Sequence, residues 1–226
     1  MKKIFVMAAA ALLIGSTANA QDVMKQQGGE RNLEVLFTPF GDSPIGINGI
    51  KYRSFTSATN AWRAVVSLDL NTTSSSVEVG DNEFESSTTQ FGISVAPGYE
   101  WHFVGTDRLS PYVGAEVLLG FGSNSGKNDA AIFTDAGEIQ VVELENSASI
   151  FNAGAGVFAG FDFYFSDNVY IGAELNYGLR FASVGEMTMD VVNGAGNGVV
   201  EETTPGNNSF GIGEGVVGAI RVGFLF

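Results

Sequence analysis

The sequence has no cysteine, one histidine and few charged residues, and each shortage removes a class of proteins. Without cysteine the chain has no disulfide framework, no thiol nucleophile, no iron–sulfur cluster and no cysteine-based zinc site. Eleven lysines and arginines stand against 25 acidic residues, a net charge of −14, which excludes nucleic acid as a partner because nucleic acid needs a basic face. A charged fraction of 16% combined with 18 phenylalanines is not typical of a disordered chain.

A run of about 20 apolar residues, the length of a transmembrane helix, is also missing. At the N-terminus, Lys2 and Lys3 precede the uncharged residues 4–14, and Ala18-Asn19-Ala20 has the A-x-A form of a cleavage site. We therefore expect residues 1–20 to be a cleaved signal peptide, because the apolar stretch is too short for a membrane anchor. An exported chain without a spanning helix is either a soluble periplasmic protein or a membrane β-barrel.

Alternation of apolar with small or polar side chains dominates the rest of the sequence. In residues 169–181, for example, apolar side chains at odd positions alternate with Tyr, Gly, Glu, Asn, Gly and Arg. Such a period of two predicts strands with one apolar face. Only residues 48–55 follow it poorly, since Ile47 and Phe55 break the phase. Eight strands are predicted, within residues 33–38, 48–55, 62–70, 91–103, 109–122, 151–165, 169–181 and 210–226.

The charges decide which face of the strands points inward. The polar face is crowded with glycine and alanine, and its ionisable groups are six acids and the five bases Lys51, Arg53, Arg63, Arg180 and Arg221. A solvated face should share the acidic excess of the chain, whereas a closed interior must balance its charges because unpaired buried ions are costly. We therefore place the polar face inside and predict a lumen network of nine residues: Glu34, Arg63, Asp69, Glu100, Glu116, Asp162, Glu174, Arg180 and Arg221.

The connections between the predicted strands alternate in length. Residues 56–60, 104–108 and 166–168 are short, whereas residues 39–47, 71–88, 123–147 and 182–208 are long. Membrane barrels have short periplasmic turns and longer extracellular loops, and an even strand count places both termini on the short side. The predicted fold is an all-β, eight-stranded, antiparallel up-and-down transmembrane β-barrel. Residues 32–226 form it, and residues 21–31 are a short periplasmic segment.

This pattern resembles the small outer-membrane β-barrel family, similar to OmpX, OmpW and the OmpA barrel domain, and the signal peptide end resembles Bacteroidetes-type members. The resemblance covers residues 32–226 and rests on pattern more than on one motif. It implies location in the cell outer membrane and contact with its lipid and lipopolysaccharide. It also implies that the alternating C-terminal residues Val222, Phe224 and Phe226 are similar to the signal read by the barrel-assembly machinery.

The long connections are acidic and resemble hairpin tips. They contain four acids and no base in residues 71–88, five acids and Lys127 in 123–147, and four acids in 182–208. Turn sequences at residues 80–82, 135–137 and 193–194 predict hairpins that continue beyond the membrane. Two interpretations stay open: an acidic rim bridged to lipopolysaccharide by divalent cations, and a strand edge that captures an extended extracellular partner.

Catalytic and cofactor motifs are scarce. The G-x-G-x-x-G matches at residues 213–218 and 154–159 lack the helix that a dinucleotide site requires. The single histidine, His102, lies near a predicted periplasmic turn, and we expect it to be a hydrogen-bonding group inside the barrel or at its edge. We therefore predict no enzyme, no cofactor and no metal site. The sequence favours a role in surface interaction and envelope integrity, with a narrow porin-like channel for small solutes as the alternative.

Overall fold

The computed structural model describes residues 25–38, 46–79, 82–133, 139–192, 200–212 and 219–226, and the predicted signal peptide lies outside these ranges. Within them no helix is long and apolar enough to cross a membrane. The described residues contain eleven strands: β1 (Arg31–Thr38), β2 (Gly46–Ser57), β3 (Asn60–Val79), β4 (Asn82–His102), β5 (Leu109–Phe133), β6 (Ile139–Ser166), β7 (Val169–Val184), β8 (Met187–Val192), β9 (Val200–Thr204), β10 (Asn207–Ile212) and β11 (Ala219–Leu225).

Eight of these strands close a ring. Strands β1 to β7 pair with their neighbours in order, and β11 lies antiparallel between β7 and β1. Backbone hydrogen bonds from Arg31 N to Phe226 O (2.9 Å) and from Phe226 N to Arg31 O (2.8 Å) bring the two ends together. The predicted eight-stranded antiparallel barrel is thus confirmed. The last predicted strand consists of β10 and β11, which both pair with β7, and residues 213–218 between them lie outside the described ranges.

Four strands are much longer than a membrane requires. A tilted transmembrane strand needs about 9–11 residues, whereas β3, β4, β5 and β6 have 20, 21, 25 and 28. Their ladders continue without a break to Val79 opposite Asn82 and to Phe133 opposite Ile139. Strand β8 pairs with β6, and β9 pairs with β8. We call the part formed by residues 71–79, 82–90, 123–133 and 139–149 with β8 and β9 the outer sheet.

The outer sheet agrees with the hairpins predicted in the long connections, and it shows that the barrel ladders continue through most of residues 71–88 and 123–147. The described residues of these segments are strands, but their alternation is weak because both faces of the outer sheet lie beyond the lipid. Because neither face contacts lipid, apolar residues are not required at every second position, and the alternation in the sequence becomes weak. The central turn residues 80–81, 134–138 and 193–199 lie outside the described ranges.

The apolar face of the barrel points outward. Trp62 and Leu68 on β3 are 60% and 62% exposed. Many other large apolar residues of the barrel strands are exposed as well. Near the short-turn end, Trp62, Tyr99 and Trp101 pack edge to face, with ring centroids 4.9 and 5.1 Å apart. Aromatic residues at this level are typical of the interface girdle of a membrane barrel. The exposed apolar surface is therefore the lipid-facing surface.

Strand β2 explains the broken phase seen in its sequence. Its pairing with β1 shifts register between Leu36 and Phe37, so that Leu36 lies opposite Gly49 and Phe37 lies opposite Ile47. Lys51, Arg53 and Phe55 all point inward and are buried. The phase break at Ile47 is thus a local irregularity of the ladder. Phe55 departs from the polar pattern because the periplasmic end of the lumen is packed with apolar and aromatic side chains.

Candidate functional site

The lumen is filled at its periplasmic end by a packed group of side chains. We call this group, which consists of Phe55, Ala61, Tyr164, Tyr170 and Leu225, the periplasmic plug; all five are buried. The rings of Tyr164 and Tyr170 lie 4.9 Å apart. Tyr112 and Phe158 are buried above the plug. An eight-stranded barrel is just wide enough for side chains to close it in this way.

Above the plug lies a connected set of ion pairs, which we call the lumen charge cluster. Arg53 is fully buried at its centre. Its guanidinium lies 2.6 Å from Glu34 Oε1 through Nε, 3.0 Å from Glu100 Oε2 through Nη1 and 2.8 Å from Asp162 Oδ2 through Nη2. The cluster contains four bases and five acids: Lys51, Arg53, Arg63, Arg221, Glu34, Glu100, Glu116, Asp162 and Glu174.

The other bases of the lumen charge cluster also bind two or more acids each. Arg221 donates to Glu34 Oε2 (2.9 Å) and to Asp162 Oδ1 (2.8 Å). Arg63 donates to both oxygens of Glu174, at 2.9 and 3.0 Å, and to Glu116 at 2.7 Å. Because each base has acidic partners on more than one strand, the cluster cross-links the barrel wall through its interior.

Glycines on the inward face make room for this cluster. A Cβ atom at Gly172 would lie 2.5 Å from Nη2 of Arg221, and one at Gly223 would lie 2.1 Å from the ring of Tyr170. Neither space can hold a methyl group without moving a buried side chain. The crowding of glycine on the polar face of the sequence therefore reflects close approach of large lumen side chains.

Seven of the nine predicted lumen residues lie in the charge cluster, and two do not. Asp69 and Arg180 are exposed and form no ion pair with any described residue, so the prediction that they share the network is wrong. Arg180 lies six residues beyond Glu174 on β7, about 20 Å along the strand, which is out of reach of the clustered acids. Lys51 and Arg53 take their place, although their strand had the least regular pattern.

A second polar group, which the sequence did not predict as a unit, seals the periplasmic mouth. His102 lies 3.1 Å from Glu100 through Nε2 and 2.9 Å from Ser110 Oγ through Nδ1. Gln26, from the segment before β1, donates to Ser110 Oγ at 2.6 Å and to the carbonyl of Ala58 at 3.3 Å. Ser110 is only 1% exposed, so a substrate cannot reach its hydroxyl, and we interpret the group as a structural seal. No periodic signal marks Gln26 in the sequence.

On the extracellular side of the charge cluster the lumen widens into a cavity of about 620 Å³, which we call the vestibule. Arg63, Glu116 and Glu174 form its floor, and its wall includes Asp69 and Arg180. Glu116 is the most accessible acid of the cluster, with 17% of its side chain exposed. The rest of the wall consists of glycines, apolar residues such as Leu118, and the neutral polar residues Ser67, Gln90, Asn152 and Asn176.

The outer sheet carries acids with few bases. In register, Glu78 lies opposite Glu83, Asp129 opposite Glu143, and Asp190 opposite Glu201. Lys127 is the one base in the described part of the outer sheet; its Nζ lies 3.0 Å from Glu143 and also contacts Glu145. The two carboxylates raise the pKa of Lys127 above its ordinary value, and hydrogen bonding to Lys127 lowers the pKa of Glu145.

The predicted assembly residues form the end of β11 and the chain terminus. Val222 and Phe226 are exposed on the lipid-facing surface, and the rings of Phe224 and Phe226 are stacked with centroids 6.4 Å apart. This geometry presents one continuous apolar edge beside the closing contact between Arg31 and Phe226.

Three comparisons place the chain among known proteins. A family model described as "Putative OmpA-OmpF-like porin family" matches residues 52–179. The crystal structure of CarO from Acinetobacter baumannii is similar at 13% sequence identity and a TM-score of 0.34, over 89% of this chain and 99% of that one. No curated protein sequence matches. The family match covers more than half of the 226 residues. The chain therefore belongs to the OmpA-OmpF-like porin family and is a porin-like β-barrel of the outer membrane.

Proposed function

We propose that this protein is a non-enzymatic and non-conducting barrel that acts in surface interaction and envelope integrity. The observation that carries this proposal is the filled lumen. The periplasmic plug and the charge cluster lie in the lumen below the vestibule, with Arg53 and Arg221 fully buried. A permeating ion would have to break several buried ion pairs, and breaking one such pair typically costs about 3–5 kcal/mol. The barrel is thus better suited to hold the outer sheet at the cell surface than to pass solutes.

The acidic residues of the outer sheet favour lipopolysaccharide as the first partner, with divalent cations bridging the sheet to the lipid. Like charges directly opposite each other destabilise a strand pair. The register nevertheless places Glu78 opposite Glu83, and it places Asp129 opposite Glu143, where Lys127 is the one described base nearby. A hard divalent cation binds carboxylate oxygens well and removes this repulsion. Lipopolysaccharide phosphates can supply the remaining ligands of the same cation, so that the acidic rim and the surrounding lipid are joined.

An extended extracellular partner strand remains the other interpretation of the outer sheet. Within the described residues, residues 67–79 of β3 have no neighbour on the β2 side, and β9 pairs only with β8. Unpaired strand edges can accept a further strand. Charged side chains such as Glu78 and Glu202 on these edges oppose such pairing, which favours the cation-bridged contact.

Co-sedimentation of the purified protein with lipopolysaccharide, with Mg²⁺ or with a chelator, tests the proposed contact. We expect binding that requires Mg²⁺ and is lost in the combined variant Glu78→Gln, Glu83→Gln, Asp129→Asn. The matched control is Asp107→Asn, which neutralises an exposed acid at a periplasmic turn. Equal binding by the triple variant and the control would contradict the lipopolysaccharide proposal.

The vestibule favours a narrow channel for small solutes as the second candidate function. Recordings in planar lipid bilayers separate the two functions. We expect no sustained conductance from the intact protein. A steady ohmic conductance that is blocked by Gly156→Phe, a bulky substitution in the vestibule wall, would instead establish the channel.

A further inference from the structure

Two charged residues cross the lumen at the floor of the vestibule. Arg63 on β3 and Glu174 on β7 are joined by two hydrogen bonds of 2.9 and 3.0 Å. In the ring of eight strands, β3 and β7 are separated by three strands on either side, so they form opposite walls of the barrel. This pair therefore spans the lumen from wall to wall.

The same two strands carry a second pair of opposite charges, one level higher and with the signs exchanged. Asp69 lies six residues beyond Arg63, and Arg180 lies six residues beyond Glu174. Both strands run toward the extracellular side, so each residue rises about 20 Å along its strand. The acid on β3 thus faces the base on β7 at a similar height across the vestibule.

Unlike the lower pair, the upper pair is not joined. Both side chains are exposed, and neither forms an ion pair with a described residue. Aspartate is one methylene shorter than glutamate, so Asp69 reaches less far into the lumen than Glu174 does below it. The result is a carboxylate and a guanidinium on opposite walls of an open cavity, each able to accept an external partner.

The space between the two charges has the properties of a small-molecule site. Its volume of about 620 Å³ lies within the range of roughly 300–1,000 Å³ that is usual for ligand cavities. Asn176, located between Glu174 and Arg180 on β7, and Asn152 add neutral polar groups to the wall of this space. A few polar groups in a cavity of this size can fix the orientation of a bound solute.

We propose that the vestibule binds a small linear zwitterion, with its ammonium group toward Asp69 and its carboxylate on Arg180. Guanidinium binds carboxylate through two parallel hydrogen bonds, and Asp69 supplies the acceptor for the opposite end. A simple anion is disfavoured because the solute must pass the acidic outer sheet, which repels negative charge. The charge cluster closes the vestibule below, so the solute enters and leaves on the extracellular side.

The probe 6-aminohexanoate, which carries an ammonium and a carboxylate at the two ends of a flexible chain, tests this site. Saturation-transfer NMR or calorimetry with the detergent-solubilised protein measures its binding. Two matched compounds separate the charges: 6-aminohexanamide lacks the carboxylate, and N-acetyl-6-aminohexanoate lacks the ammonium. We expect saturable binding of 6-aminohexanoate and binding of each control compound that is weaker by about tenfold or more, the usual effect of losing a charged hydrogen bond.

Variants identify the residues responsible. Arg180→Gln and Asp69→Asn should each weaken 6-aminohexanoate binding by about tenfold or more, whereas Lys127→Gln, which changes a base outside the vestibule, should leave it unchanged. The heat-dependent gel mobility typical of folded barrels shows whether each variant is assembled. Absence of saturable binding to the intact protein, or equal affinity in Arg180→Gln, would overturn the proposal.

Discussion

Replacing Arg53 by alanine is the most direct test of the lumen charge cluster. The substitution removes the ion pairs to Glu34 (2.6 Å), Glu100 (3.0 Å) and Asp162 (2.8 Å). It also removes the hydrogen bond that Arg53 Nη2 donates to Tyr170 Oη at 2.6 Å. All of these groups are buried, so no bulk water replaces the lost guanidinium.

The size of the effect follows from what remains around the three carboxylates. Glu34 keeps Lys51 and Arg221, Glu100 keeps Arg63, and Asp162 keeps Arg221. Since each carboxylate retains a base, the cost is that of about one broken buried ion pair and not the sum of three. We expect the free energy of unfolding to fall by about 3–5 kcal/mol.

The assay is urea unfolding of the detergent-solubilised protein, followed by tryptophan fluorescence and by gel mobility. Arg180→Ala is the matched control, because it removes the same side chain from the same lumen but from outside the ion-pair cluster. We expect the control to change the free energy of unfolding by no more than about 0.5 kcal/mol. Equal losses in both variants would refute the distinction between a buried cluster and an open vestibule.

Three further predictions concern packing, charge and assembly. Gly223→Ala should lower the free energy of unfolding by about 1–3 kcal/mol through overpacking, whereas Gly92→Ala, whose Cβ would have no neighbour nearer than 3.6 Å, should have little effect in the same urea assay. In Lys127→Gln, the lowered pKa of Glu145 should return upward toward its ordinary value in a carboxyl NMR titration; an unchanged pKa would show that the contact is not formed. Since a depressed carboxyl pKa stabilises the folded state above the unfolded pKa, the contribution of this pair should be lost as pH falls through the pKa of folded Glu145. Deleting Phe226 should leave unassembled protein in the periplasm, and a normal yield of folded protein in outer membranes would count against the assembly role of the C-terminus.

The sequence alone was sufficient to determine the barrel. Alternation such as that of residues 169–181 identifies strands, and the near balance of acids and bases on the glycine-rich face indicates that this face is enclosed. Both signals are strong because the lipid selects apolar residues at every second position and a closed lumen cannot hold unpaired charge. For the same reason the hairpins beyond the membrane could be located by their turn sequences but the extent of their strands could not, since no lipid acts on the outer sheet.

Only the tertiary structure decided which charges meet. Arg180 and Glu174 share a face and a strand, yet Glu174 lies in the cluster and Arg180 does not. Arg53 is the centre of the network, although it lies on the strand with the least regular pattern. Gln26, from the segment before β1, closes the periplasmic mouth of the lumen through its hydrogen bond to Ser110. Periodicity shows the face of a strand to which a residue belongs, but its height in the barrel depends on the register of all eight strands. That register is a property of the closed ring and not of any one segment.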